Sequence, residues 1–283
     1  MKKNRTVISI STKKPKKSRF LKEVQYVYCD ISNKKKLYKK LERIDTDYVI
    51  NFGGYVNHKN ILKTRLSHYI GCKNLATFFV KKKCKLFLQI GSSLEYGKLK
   101  SPHLERYKLN HKLNSSYSTS KLQATKFLCN LRDKYNFPCV ILRPYLIYGP
   151  YQDFNRLIPS TIDNCLKDRA FLCSSGVQKR DFLYIDDFLE GVLKIIYSKN
   201  KLKTIINIGS QNPISVRNVI EMIRKIINKG EPIFGKILMR KDEISVSYPD
   251  INYIKKHIKW KPNTNLEKGL KLTIKSYKNK WKN

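Results

Sequence analysis

Acidic residues are scarce in this chain: 21 Asp and Glu stand against 59 Lys and Arg, a formal net charge of +38 over 283 residues. Glycine is scarce as well, with 12 in all and none before Gly53, so no glycine-rich phosphate-binding turn lies in the first fifty residues. No run of eighteen apolar residues occurs, which excludes a helix that spans a bilayer. The apolar stretch within the basic opening MKKNRTVISISTKKPKK is too short for the core of a signal peptide. No CxxC occurs among Cys29, Cys72, Cys84, Cys129, Cys139, Cys165 and Cys173. An odd set of cysteines, mostly in apolar runs, reads as reduced, buried thiols in a cytoplasmic compartment. No histidine pairs with Cys or Glu at ligand spacing, so no metal is expected. There is no internal repeat and no clean linker.

What is present points to a folded chain. With 41% hydrophobic and 11% aromatic residues, wholesale disorder is excluded despite the charge. At roughly 150 residues per domain, the length suits one large or two small domains. A chain of this size buries about 75% of its unfolded surface and needs no staples. The basic residues are mostly Lys and are spread throughout, which reads as a compositional bias. A nucleic-acid face would concentrate charge on one element with Arg and aromatics interleaved, so nucleic acid is an unlikely partner.

Apolar runs of strand length alternate with helical patterns. Strands are expected at Thr6–Ser11, Val24–Cys29, Asp47–Phe52, Lys85–Ile90 and Cys139–Arg143, with helices at Ser32–Arg43 (Ser32 as N-cap), Leu62–Lys81 and Tyr117–Tyr135. This alternation predicts an α/β fold with a parallel sheet covered on both faces. After Tyr148-Gly149-Pro150 the pattern changes. Helices are expected at Leu157–Leu166, Asp187–Tyr197, Val216–Asn228 and Leu266–Tyr277, with a short one near Asp250–His257 and strands at Asp181–Ile185 and Thr204–Ile208. That part reads as a lobe folded onto the sheet.

The chemistry-bearing signal is Tyr117-Ser118-Thr119-Ser120-Lys121, placed 25 residues after Ser92 in Gly91-Ser92-Ser93-Leu94-Glu95-Tyr96-Gly97. Tyr and Lys at i, i+4 share one helix face. An ammonium beside a phenol favours the phenolate and lowers its pKa from about 10, which suits acid–base work near neutral pH. Ser92 falls just past the carboxyl end of a strand, where ligands of open α/β sheets bind. Alone, the five-residue pattern in a Lys- and Tyr-rich chain reads first as a tyrosine packed on its own helix with an exposed lysine.

Its company changes that. Gly53-Gly54 after a strand, GSSLEYG, YSTSK, Arg143-Pro144-Tyr145-Leu146-Ile147-Tyr148-Gly149-Pro150, Arg180-Asp181-Phe182-Leu183-Tyr184-Ile185-Asp186-Asp187, Asn207-Ile208-Gly209-Ser210 and Trp260-Lys261-Pro262 follow one another in order. Together they resemble the extended short-chain dehydrogenase/reductase family of sugar-nucleotide epimerases, dehydratases and reductases, over essentially residues 6–278. The resemblance implies a Rossmann-like NAD(P)-binding domain over 1–150 and a substrate-binding lobe over 151–283, with some of its segments returning to the sheet. It implies Tyr117 as acid/base, Lys121 as its partner and a ribose ligand, and Ser92 as hydrogen-bond donor to the reacting oxygen. Asp30 and Ile31 match positions bordering adenine; Gly53, Gly54 and Tyr55 match the loop along the cofactor; Pro144 and Ile147 match the segment beside the nicotinamide. Arg180 matches the arginine that grips the nucleotide diphosphate, Ser93 a substrate-contacting position, and Glu105 an acidic residue near the site. NAD or NADP is the implied cofactor, a nucleotide-linked sugar the implied substrate, and a homodimer the implied assembly.

Departures refine the expectation. Dehydratases of the family carry Asp-Glu directly after the hydroxyl residue; Ser93 and Leu94 stand there, which favours an epimerase or ketoreductase. Leu146 and His68 each replace a common asparagine. Thr6–Ser11 matches the family's second strand, so the first strand and its GxxGxxG turn have no counterpart here. Ser11, Thr12, Lys13 and Lys14 follow it in place of an acid, which keeps NADP open. The lost central strand predicts weak NAD(P) binding and low stability for the chain as written, restored by roughly 20–25 added residues. The competing expectation is a degenerate, non-catalytic member that binds nucleic acid or a protein partner.

Overall fold

The computed structural model describes residues 6–57, 59–109, 113, 115–239 and 243–280, and divides into two compact units: 1–97 with 111–142, and 98–110 with 143–283. The first five residues of the basic opening lie outside the described residues.

In the first unit, β1 (Val7–Ser11) and β2 (Val24–Tyr28) form a parallel two-stranded ladder. β3 (Tyr48–Asn51), β4 (Leu86–Ile90) and β5 (Cys139–Pro144) form a parallel sheet in that order. β4 and β5 read as near-continuous apolar runs because both faces are covered: Phe87, Leu88, Ile141 and Leu142 are fully buried. The helices are α1 (Lys34–Leu41), α2 (Ile61–Arg65), α3 (Gly71–Lys82) and α4 (Ser116–Tyr135). α1 offers the core Leu37 and Leu41 and leaves its lysines outward.

Two local expectations are corrected. The N-cap of α1 is Asn33, whose side chain accepts from the Lys36 amide at 3.0 Å, because the Ser32 amide is turned back onto the Asp30 carboxylate at 2.8 Å. The helix expected over Leu62–Lys81 is interrupted: residues Leu66–Ile70 form a π-helical turn between α2 and α3. Such turns often mark functional sites.

The second unit contains β6 (Leu146–Tyr148), α5 (Leu157–Leu166), β7 (Ala170–Leu172), β8 (Lys179–Tyr184), α6 (Ile185–Ile196), β9 (Ile205–Ile208), β10 (Pro213–Ser215), α7 (Val216–Ile227), β11 (Glu231–Ile233), β12 (Val246–Ser247), α8 (Asn252–Ile258) and α9 (Leu266–Lys280). β8 is its organising strand, antiparallel to β10 and parallel to β6 and β12. α5, α7 and α9 pack around Ile162, Ile223, Leu270, Ile274 and Tyr277.

Glycine scarcity leaves a mark on the helix ends. α3, α4, α7 and α8 each terminate on a left-handed residue that is not glycine: Lys83, Asn136, Asn228 and Lys259. All seven cysteines are free, six of them buried. Among the described residues no helix is long and apolar enough to cross a membrane.

Candidate functional site

The carboxyl end of β4 builds the centre of the first unit. The chain leaves β4 through Gly91 and places Ser92 in extended conformation as the N-cap of a 3₁₀ turn over Ser93–Tyr96. The cap is reciprocal. The Ser92 hydroxyl accepts from the Leu94 amide at 3.2 Å, and the Glu95 carboxylate accepts from the Ser92 amide at 2.8 Å. The second Glu95 oxygen accepts from the Thr125 hydroxyl of α4 at 2.8 Å, and Glu95 is fully buried.

α4 begins at the Ser115 cap, whose hydroxyl accepts from the Ser118 amide at 3.1 Å, and so carries Tyr117 in its first turn. One turn on, Lys121 is 4% exposed. Its ammonium donates to the Ile90 carbonyl at 2.6 Å, at the strand end that leads to Ser92, and stands 5.8 Å from the centroid of the Tyr117 ring. Burial pushes the Lys121 ammonium down to about 8, and the Glu95 carboxylate is the leading influence against that fall. Cys72 also faces Lys121, but burial pushes its thiol up to about 12, so it carries no charge near neutral pH.

His68, on the π-helical turn, meets Tyr117 edge-on, with ring centroids 4.9 Å apart. Its Nε2 lies 3.1 Å from the Tyr55 carbonyl, and the Tyr55 amide donates to the Ser67 hydroxyl at 2.7 Å. The loop after β3 is thereby stitched to the π turn. Any Cβ at Gly54 would collide with the His68 ring. Ile31, just past β2, lays its side chain against Gly71 and 3.8 Å from a Cβ built on Gly53, and its carbonyl accepts from the Asn74 side chain at 3.0 Å. The Asp30 carboxylate receives the Ser32 amide on an exposed loop. Asp30, Ile31, Gly53, Gly54, Tyr55, Ser92 and Ser93 thus sit at or just past the carboxyl ends of parallel strands, while Tyr117 and Lys121 come from α4.

The other candidate residues belong to the second unit. Pro144 ends β5, and Ile147 pairs with Leu183 across β6 and β8. Arg180 on β8 donates to the Lys179 carbonyl at 2.7 Å and forms an ion pair with Glu243. Its neighbour Asp181 is structural: its carboxylate accepts from the Ser210 amide at 2.7 Å, the Ser210 hydroxyl at 2.9 Å and the Asn212 amide at 3.2 Å. Glu105 accepts from the Asn207 amide at 2.9 Å, and burial raises its carboxyl.

Residues 1–209 match the model of the NAD dependent epimerase/dehydratase family. The chain belongs to that family. It is 30% identical over 192 residues to UDP-glucuronate 4-epimerase of Thermodesulfobacterium geofontis, a stretch covering 67% of this chain and 58% of that relative. The chain spans about half the length of the first curated relatives it matches. Its fold is that of UDP-glucose 4-epimerase of Thermotoga maritima, solved with UDP-glucose (TM-score 0.86, 19% identity, 98% of this chain and 92% of that one). It is equally that of UDP-glucuronic acid 4-epimerase of Bacillus cereus, solved with UDP-glucuronic acid and NAD (TM-score 0.85, 24% identity, 97% and 91%). The Rossmann-like α/β expectation holds.

Within this member of the epimerase/dehydratase family, Lys121 is tied to Ile90, two residues before Ser92, and lies one helical turn from Tyr117. Sequence reasoning passed over Glu95 and Thr125, and noted His68 as a departure without placing it beside Tyr117. A signal for Glu95 was present: Ser92-x-x-Glu95 has the spacing of a reciprocal cap. Nothing local pointed to His68, 49 residues before Tyr117 in sequence.

Proposed function

We propose that this chain is an NAD-dependent epimerase or ketoreductase of a nucleotide-linked sugar, with Tyr117 as its acid/base. The observation that carries the reading is the buried Lys121 ammonium, fixed to the Ile90 carbonyl one helical turn from Tyr117. A cation so placed favours the phenolate.

The donor set fits the adenosine and nicotinamide ends of a dinucleotide, while no glycine-rich turn before Gly53 cradles its pyrophosphate, so binding is expected to be weak and the test uses excess NAD. Asp30 offers an exposed carboxylate past β2, Gly53 and Gly54 present backbone without side chains past β3, and Lys121 and Tyr117 offer a cation and a hydroxyl past β4. Those residues, with Ile31 and Tyr55, would hold the dinucleotide; the family resemblance assigns Pro144 and Ile147 to the segment beside its nicotinamide. When bound, it supplies a hydride acceptor and donor for the sugar carbon. The chain's own residues do the rest. The Tyr117 oxygen would take the proton from the sugar hydroxyl on oxidation and return it to that oxygen on reduction. The Ser92 hydroxyl hydrogen-bonds the same oxygen. The family resemblance gives Arg180 the substrate diphosphate, whose oxygens a guanidinium fork matches, and Ser93 a substrate contact. Ser93 and Leu94 leave no acid and base at the two positions directly after Ser92, which favours epimerisation or reduction over dehydration.

The test incubates the chain with NAD and, in turn, UDP-glucose, UDP-glucuronate and dTDP-glucose, following the sugar by proton NMR. Conversion of at least one is expected. Tyr117→Phe should lose about 10²-fold or more with an unchanged circular dichroism spectrum. A folded Tyr117→Phe variant that turns over as fast as the parent overturns the reading.

A further inference from the structure

The expected site has a buried carboxylate that the family motifs did not assign. We propose that Glu95 is its positioning residue: one carboxylate oxygen holds Ser92 in place through its amide, and the charge of the group is the counter-ion of the buried Lys121 ammonium. This rests on the reading of Tyr117 and Lys121 as a working pair.

The geometry is closed on every side. Glu95 is 0% exposed and its two oxygens are shared between the strand end and the helix, one on Ser92 at 2.8 Å and one on Thr125 at 2.8 Å. Thr125 lies one turn beyond Lys121 on α4, so the bond fixes the carboxylate on the helix face that carries the ammonium. The groups facing Lys121 are Glu95 from the 3₁₀ turn, Cys72 from α3 and Tyr117 from its own helix, with His68 beyond Tyr117 on the π turn. The Cys72 thiol is neutral below about 12. Among the described residues around Lys121, Glu95 is the carboxylate, held by Ser92 and Thr125 on the helix face that carries the ammonium. An uncompensated ammonium at 4% exposure would shed its proton, and Tyr117 would lose the cation that favours its phenolate.

Glu95→Gln tests the charge alone. Its amide accepts from Ser92 and donates to the Thr125 oxygen, so both bonds survive. Thr125→Val is the complementary variant, which removes one bond and keeps the charge. Lysine labelled at the ε-carbon reports the Lys121 titration by NMR, assigned with Lys121→Arg, whether or not a substrate is turned over. In Glu95→Gln the Lys121 midpoint should fall by about one pH unit or more. The alkaline limb of the kcat profile should move the same way. In Thr125→Val the midpoint should stay within a few tenths. An unmoved midpoint in Glu95→Gln overturns the proposal, as does a Thr125→Val shift of equal size. A parent chain that converts no nucleotide sugar overturns the proposed function instead, and leaves the NMR result standing by itself.

Discussion

The His68 imidazole stands at 86° to the Tyr117 phenol with 4.9 Å between ring centroids, and a Cβ on Gly54 would collide with that same imidazole. The histidine thus touches both a side-chain-free backbone position and the expected acid/base. Gly54→Ala should therefore displace the ring from its place against Tyr117, costing about 1–3 kcal/mol of stability and at least tenfold in kcat. In a His68→Ala background the same glycine substitution should cost little. A double-mutant cycle of urea midpoints and rates measures the coupling, and additive effects would contradict the contact.

Arg180 meets a carboxylate of its own chain, Glu243, at the position expected to meet substrate phosphate. Glu243→Gln should free the guanidinium and lower KM for the nucleotide sugar. Arg180→Ala should raise KM about 10–100-fold, the worth of roughly 1.5–3 kcal/mol for bonds to a charged group. Initial-rate kinetics separate the two. A fall in kcat at constant KM for Arg180→Ala would place the residue elsewhere in the reaction.

His103 is buried, with Nδ1 2.7 Å from the Tyr145 hydroxyl and Nε2 3.0 Å from the Leu99 carbonyl. Burial holds its pKa below the ordinary 6.5, and the Arg143 charge acts the same way. A depressed folded value means the neutral ring stabilises the fold above the unfolded value of 6.5, and that this contribution disappears as pH falls through the folded one. The urea midpoint should drop between about pH 7 and 5. It should do so less steeply in His103→Gln, whatever the stability of that variant at pH 7. Parallel curves would assign the acid sensitivity to other groups.

Lys83 (φ 54°) and Lys259 (φ 53°) end α3 and α8 in the left-handed region. A Cβ there costs about 1–2 kcal/mol. Lys83→Gly and Lys259→Gly should each stabilise the chain by about 0.5–1 kcal/mol, since glycine recovers most of that strain and returns part as chain entropy. Thermal unfolding at fixed protein concentration checks both. A lower Tm in both would show that the lysine side chains hold more than the caps cost.

Much of the candidate site was legible before any coordinates, because its signals are local. A Tyr and a Lys four apart share a helix face whatever the rest of the chain does. Strand-length apolar runs alternating with helical stretches specify covered parallel strands. A residue just past such a run, like Ser92 after Lys85–Ile90, falls at the ligand-binding end of the sheet. The N-cap of α1 was misread by one residue because Ser32 and Asn33 are both good caps, and the Asp30 carboxylate decides between them by taking the Ser32 amide.

By itself the sequence determined the α/β alternation and the order of the family motifs, and it raised the expectation that Ser92, Tyr117 and Lys121 act as a set. Tertiary structure alone decided which charges face one another. Glu95 bonds Thr125, 30 residues away and one helical turn past Lys121, and His68 meets Tyr117 across 49. The spacing from Tyr117 marks Lys121 among 59 basic residues, but nothing local shows that it is the buried lysine among the described residues. Burial is what gives Lys121 its chemistry: in water its charge would be screened, whereas at 4% exposure it needs both the Ile90 carbonyl and the Glu95 carboxylate to persist.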